Sequence, residues 1–312
     1  MMNPPILLVT GSDGLIGRYV VRMLSESYHV VAASRQWLTF EQKNVKAVNV
    51  NLQNTQEVQR LIDIQPDVIV HLAAALPFGA NDDAVITTNK SIDLNIFNLA
   101  KAANAGVVFC SSVSVYGGQA GPWVESLPLN PTSNYALAKL RSEELFSSLG
   151  SGAMSLRISS PYGATHPSRK GVFYHFARES LAERRLTIYG GGSRTQDFVH
   201  ALDVAHSVDS VVESWSKHTG LASRGVLNVA SGNPVSMSEL ALLVLNLTGN
   251  PNPLEYADNH GIDERYRSHV SIAKAARYIN WKPLISLNCG LAHFLRTLED
   301  KNEDWFAVRC AR

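Results

Sequence analysis

Residues 6 to 24, "ILLVTGSDGLIGRYVVRML", constrain this chain more than any other stretch, because few folds join an apolar run to an amphipathic segment through glycines spaced GxxGxxG. The run at 6 to 10 predicts a buried strand and "IGRYVVRML" a helix. Gly11 permits the sharp turn, Gly14 lets the backbone approach a bulky anion, and Gly17 allows the helix to lie close to the sheet. Leu15 and Ile16 then start a helix whose free amides suit a pyrophosphate. A dinucleotide is expected here, with an acidic side chain about 20 residues on to meet its adenosine ribose. The chain offers Ser34 and Arg35 instead. A hydroxyl and a guanidinium both welcome a 2′-phosphate, so NADP(H) is the expected cofactor, with NAD(H) possible.

The same alternation continues downstream. Apolar runs at 29 to 34, 45 to 52, 67 to 74, 106 to 112 and 155 to 159 are separated by helical stretches. Strands alternating with helices predict an α/β fold, a doubly wound parallel sheet of Rossmann type covered on both faces. The rhythm loosens from about 165, where "LTIYGGGSRTQDF" reads as a strand and hairpin and "SMSELALLVLNLTG" as a helix opened by Ser236 or Ser238. Residues 1 to 165, with returning segments near 197 to 232, are therefore expected to form the dinucleotide domain. Residues 166 to 312 form a smaller, interleaved substrate-binding region.

Charge excludes some partners. The 28 Lys and Arg against 27 Asp and Glu leave a formal +1 without any block of like charge, which gives nucleic acid or a membrane surface no electrostatic handle. Cys110, Cys289 and Cys310 are far apart and lack metal-ligand spacing, so neither a metal site nor a disulfide is expected, and a cytoplasmic location fits. No apolar run is long enough to span a membrane.

Two further constellations carry chemistry. In "YALAK", Tyr135 and Lys139 stand at i and i+4 of a predicted helix, on one face, and a neighbouring cation favours the phenolate of a proton-transferring tyrosine. In "CSSVSVYG", residues 110 to 117, Ser112 falls where the fifth strand should end, and ligands of open parallel sheets bind beyond those ends.

With these pieces in place the sequence resembles the extended short-chain dehydrogenase/reductases, and within them the nucleotide-sugar epimerase, dehydratase and reductase family. "TGSDGLIG", "HLAA" at 71 to 74, Asn89, "SSVSVYG", "YALAK", "LRISSPYGA" at 156 to 164, "GGGSRTQDFVHALDVA" at 190 to 205 and "INWKPLISLNCGL" at 279 to 291 carry the resemblance. It implies Ser112 as catalytic serine, Tyr135 as acid/base, and Lys139 as the residue that binds the nicotinamide ribose and tunes Tyr135. It adds Asn51, Leu52, Leu72, Ala73, Ala74 and Asn89 to the cofactor site, and Ser160, Arg194 and Arg267, with Ser112, to a nucleoside diphosphate sugar site. His166, Lys170 and His175 fall in a stretch that lines the sugar pocket in the family, and none is assigned a role. The resemblance also implies a homodimer through the 85 to 106 segment and the Tyr135 helix, where some faces of Ala136, Leu140 and Leu145 would pack on a partner.

The departures narrow the chemistry. Relatives that dehydrate carry an Asp-Glu pair where this chain has Val113 and Ser114, and relatives that decarboxylate use a glutamate there. Valine cannot titrate and a serine hydroxyl is too weak an acid, so hydride transfer at one carbon remains. Combined with Ser34 and Arg35, this reads as NADPH-dependent reduction of a nucleotide-linked keto-sugar, an NDP-4-keto-6-deoxyhexose 4-reductase of polysaccharide or glycoside biosynthesis. The alternatives are an NAD-dependent NDP-sugar 4-epimerase and a non-catalytic nucleotide-binding sensor.

Overall fold

The protein is described by a computed structural model over residues 4–76, 82–164, 171–216, 225–258, 265–300 and 303–308. Strand β1 (Ile6–Thr10) enters helix α1 (Leu15–Leu24) through the glycine turn, and β2 (His29–Ser34) and β3 (Val45–Asn49) follow. Next come α2 (Thr55–Gln59), β4 (Val68–His71), α3 (Asp82–Ala103), β5 (Gly106–Ser112), α4 (Asn134–Ser147) and β6 (Ala153–Ile158). Among the described residues the main sheet has seven strands in the order β11-β6-β5-β4-β1-β2-β3, all parallel, with β11 (Gly225–Val229) added beside β6. The reversal of strand order beside β1 is the switch point at which such sheets leave a crevice beyond their carboxyl ends.

Each face buries a separate core. Leu7, Val9, Tyr19, Val20, Val108, Leu156 and Leu227 pack with α6 (Ala201–Ser216) on one side, and Leu8, Ile69, Ile96, Val107, Phe109 and Phe146 pack with α3 and α4 on the other. Alternate residues of β1 and β5 thus serve opposite faces, as a period of two requires.

The expected hairpin within 186 to 198 is replaced by three separate pairings. Strand β8 (Thr187–Tyr189) pairs in parallel with β13 (Glu255–Ala257). Strand β9 (Thr195–Gln196) pairs antiparallel with β12 (Val235–Ser236), and β10 (Phe198–His200) pairs in parallel with β7 (Ser160–Tyr162). Gly190 and Gly192, at φ +82 and +72, turn the chain away from its own strand before a two-residue hairpin can close. Helix α7 (Met237–Thr248) begins at Ser236, whose hydroxyl accepts from Glu239 N while Glu239 accepts from Ser236 N, and ends at Gly249 in the left-handed region. It packs with α5 (Val172–Leu181) and α9 (Leu287–Glu299) around Tyr162, Phe173, Leu240 and Phe294.

The C-terminal region is fastened to the sheet through Asp203 at the start of α6. Its buried carboxylate accepts from Leu284 N at 2.9 Å and Ile285 N at 3.1 Å, beyond α8 (Ala273–Tyr278). Burial raises its pKa to about 6, against the opposing pull of those two amides. A raised carboxyl pKa gives stability that is full below the ordinary aspartate value and lost as pH rises through about 6. Wild type should therefore lose roughly 2 kcal/mol of unfolding free energy between pH 4 and pH 7 at this site. Asp203→Asn should flatten that slope, starting about 1 kcal/mol below wild type at pH 4 because its one oxygen must serve two amides, so that the two profiles converge and cross as pH rises to 7. Urea titrations across that range check it; parallel pH profiles would contradict it.

The tail returns to α1. Tyr19 donates to Trp305 O at 2.9 Å, and Arg22 pairs with Asp304 at 2.9 Å. Contrary to the expectation of no disulfide, Cys289 is disulfide-bonded, whereas Cys110 is a free, buried thiol whose pKa burial pushes up to about 12. Wide spacing along the chain gave no hint of this, because separation in sequence does not fix distance in the fold. No described helix is long and apolar enough to cross a membrane.

Candidate active site

A cleft of about 790 Å³ opens beyond the carboxyl ends of β1, β2, β4 and β5. The glycine turn forms its floor. A Cβ on Gly17 would stand 2.1 Å from Gly11 O, and one on Gly11, at φ +66, would stand 2.8 Å from Ala73 N, so neither position admits a side chain. The first amides of α1, at Leu15 and Ile16, have no carbonyl a turn earlier inside the helix to bond. That cradle suits a dinucleotide pyrophosphate.

The other cofactor positions surround the floor. Ser34, Arg35, Asn51, Leu52, Leu72, Ala73 and Ala74 all line the cleft. Ser34 is already committed, donating to Gln36 O at 2.5 Å and accepting from Gln36 N at 3.1 Å. Asn51 Oδ1 accepts from Gln53 N. Asn89 does not line the cleft. It is buried and holds the loop after β4 by accepting from Ala75 N at 2.7 Å and donating to Ala75 O at 3.1 Å. Its side chain thereby fixes the loop that forms part of the cleft wall.

Ser112, Tyr135 and Lys139 converge on the same cleft. Ser133 caps α4 by accepting from Ala136 N, which starts the helix one residue before Tyr135. Tyr135 and Lys139 share a face, with Lys139 Nζ 5.9 Å from the tyrosine ring centre. Nζ donates to Cys110 O at 2.7 Å, which ties the helix to β5 and leaves two ammonium protons for a ligand. Ser112 Oγ accepts from Ser114 N at 3.1 Å, so the backbone occupies a lone pair and leaves the hydroxyl proton available.

Behind these residues lies a buried polar network that the sequence reading missed. Glu143, one turn past Lys139, accepts from Ser111 Oγ at 2.5 Å and from Arg157 Nη2 at 2.7 Å. Arg157 Nη1 donates to the Tyr116 hydroxyl at 3.0 Å, and Tyr116 donates to Asn228 Oδ1 at 2.7 Å. The spacing Tyr135, Lys139, Glu143 was the available signal, since successive i+4 positions must share a face.

On the substrate side Ser160 and Arg194 line the cleft, joined by Tyr174, Gln196 and Tyr266. Arg194 stacks 5.3 Å over the Tyr266 ring. Arg267 is not among the lining residues; it donates to Tyr266 O and Ser193 Oγ at the exposed rim. His175 is exposed on α5 outside the lining, and His166 and Lys170 lie outside the described residues.

Comparison with known proteins agrees with this arrangement. Residues 7–230 match the model of the NAD dependent epimerase/dehydratase family. The chain belongs to this family. Its members are NAD(P)-dependent enzymes of the extended short-chain dehydrogenase/reductase type. The chain is 27% identical over 323 residues to the UDP-glucose 4-epimerase of Mycolicibacterium smegmatis, covering 95% of this chain and 99% of that one. It is also 27% identical to the UDP-glucuronic acid decarboxylase 1 of Danio rerio, covering 94% of this chain and 73% of that one. In fold it superposes on the UDP-glucose 4-epimerase of Thermotoga maritima, solved with UDP-glucose, at a TM-score of 0.82 and 23% identity, over 95% of this chain and 100% of that one.

Proposed function

We propose that the protein inverts the C4 hydroxyl of a nucleoside diphosphate hexose, holding NAD throughout the cycle. This places the 4-epimerase ahead of the 4-reductase expected from Ser34 and Arg35 alone. The observation that carries it is the hydrogen bond from Ser34 to Gln36 O, which spends the proton a 2′-phosphate would need. The full-length likeness to UDP-glucose 4-epimerases points the same way. Decarboxylation has no support at positions 113 and 114, where Val113 is buried and Ser114 Oγ is a hydroxyl without a partner.

When bound, the dinucleotide would supply the hydride acceptor and donor for the sugar carbon. The chain's own residues manage the proton and the geometry. Tyr135 takes the proton of the C4 hydroxyl and gives it back after the sugar has turned over. Ser112 donates its free proton to the C4 oxygen, and Lys139 bridges Cys110 O to the ribose beside Tyr135. Arg194 and Arg267 hold the diphosphate from the rim, and Tyr266 backs Arg194.

The test is direct. Purified enzyme with UDP-glucose or UDP-galactose and NAD should interconvert the two, followed by proton NMR of the anomeric signals. Arg35, exposed in the cleft without a described partner, favours the reductase as second reading. Consumption of NADPH with a UDP-4-keto-6-deoxyhexose, and no interconversion, would restore it.

A homodimer is proposed through α3 and α4. Ala136 is buried within the protomer and so has no face for a partner, whereas half-buried Leu140 turns part of its surface to the cluster around Trp123. Leu94, 44% exposed, lies on α3 with half-buried Phe97 three residues on, while Leu145 is half-buried on α4. Leu94→Arg should convert a dimer into a monomer by light scattering at micromolar concentration; an unchanged mass would remove this face from consideration.

A further inference from the structure

Asp13 sits at the tip of the glycine turn, directly before the Gly14 cap of α1, where the helix dipole favours a carboxylate beside N–H donors that suit a pyrophosphate. Its backbone is fixed from both sides. Gly14 N donates to Gly11 O at 3.0 Å, and Ser12 N donates to Ala33 O at 3.3 Å, which joins the turn to the end of β2 beside Ser34. Asp13 lines the same cleft as Ser34, Arg35 and Asn51. Its carboxylate makes no hydrogen bond or ion pair with any described residue, and Arg18 Nε reaches only its main-chain oxygen, at 3.4 Å.

An acid placed there without a protein partner has one service to offer a dinucleotide, which is to accept hydrogen bonds from the adenosine ribose. We propose that Asp13 replaces the missing acid at the end of the second strand. It reads the ribose hydroxyls from the glycine turn, repels a 2′-phosphate, and makes the chain select NAD over NADP. Ser34 is consistent with this, because with its proton on Gln36 O it has only a lone pair to offer, which suits a ribose hydroxyl and not a phosphate oxygen. Arg35 supplies the opposing charge across the same end of the cleft.

The inference rests on a dinucleotide in the cleft with its pyrophosphate on α1, and not on which sugar is turned over. Calorimetric titration of NAD and NADP separately into wild type, Asp13→Asn, Asp13→Ser and Arg35→Ala tests it. Losing one charge-assisted acceptor should weaken NAD about tenfold in both Asp13 variants and leave NADP unchanged or tighter. The Arg35 variant should barely alter NAD. The cofactor-free Asp13 variants should stay folded and melt within about 4 °C of wild type, since only the interaction with the α1 dipole is lost. An equal loss for both cofactors, no loss for either, or tight wild-type binding of NADP that Arg35→Ala abolishes would each overturn the assignment. If NAD responds as expected but no UDP-hexose is epimerised, the proposed reaction fails and the ribose assignment stands.

Discussion

Replacing Tyr135 with Phe is expected to lower turnover by ~100- to 10,000-fold, the usual worth of a positioned general acid/base, while leaving the fold and NAD binding nearly intact. The side chain is half-buried on α4, lines the cleft, and its hydroxyl holds no described residue in place, so its removal leaves no protein donor or acceptor unsatisfied. Lys139 keeps its bond to Cys110 O and Ala136 keeps its cap on Ser133, so the helix has no reason to move. Ser112→Ala should act on the same oxygen but more weakly, since it removes one donor and no proton acceptor. The two kinds of measurement must be made together. Turnover near wild type for Tyr135→Phe would refute the assignment, whereas a lost NAD affinity in the same variant, which keeps the ring, would show that the hydroxyl serves cofactor binding as well as proton transfer.

Local signals made much of this legible before any coordinates. The strands at 6 to 10, 29 to 34 and 106 to 112 were readable to the residue, because each is a short β-branched run bounded by polar or turn-forming positions and buried on both faces. That Ser112, Tyr135 and Lys139 would meet in one cleft was readable, because the i, i+4 spacing of Tyr135 and Lys139 and the strand end at Ser112 fix their placement. What escaped depends on partners far away in the chain. Strands β8, β9 and β10 are two or three residues long, and each pairs with a segment that nothing in its own composition specifies. The place of Asn89 was less legible, because a buried structural amide and a ligand-binding amide look alike in sequence, and its bonds to Ala75 show only in the fold. Ser34 shows the same limit at the level of one proton. Its residue type suggested a phosphate donor, and the neighbouring Gln36 carbonyl took the donor away.

The buried Glu143–Arg157 pair should give the largest stability effect. Both side chains are almost wholly removed from water, at 6% and 4% exposure, and they join α4 to β6 directly behind Ser111 and Lys139. Burial works against the charged guanidinium, yet the hydrogen bonds it donates to Glu143 hold the Arg157 pKa above its ordinary value. Glu143→Ala takes away the acceptor of Arg157 and of Ser111 together, leaving a buried cation with only the Tyr116 hydroxyl and a long contact to Glu125 O. That should destabilise the protein by about 3–5 kcal/mol, because the desolvation cost of the surviving charge is no longer offset. Removing both charges, as in Glu143→Leu with Arg157→Met, should recover most of that loss, since an apolar pair of similar volume costs little to bury. The recovered protein should nevertheless turn over more slowly, because Ser111 would then have no acceptor and the strand end that carries Ser112 would lose its tie to α4. Urea unfolding of the two variants decides the energetic claim: equal stability of the single and double variants would mean that the pair does not act as a charge-neutral unit. Steady-state rates of the double variant decide the positional one, where a wild-type rate would show that β5 holds Ser112 without help from the helix.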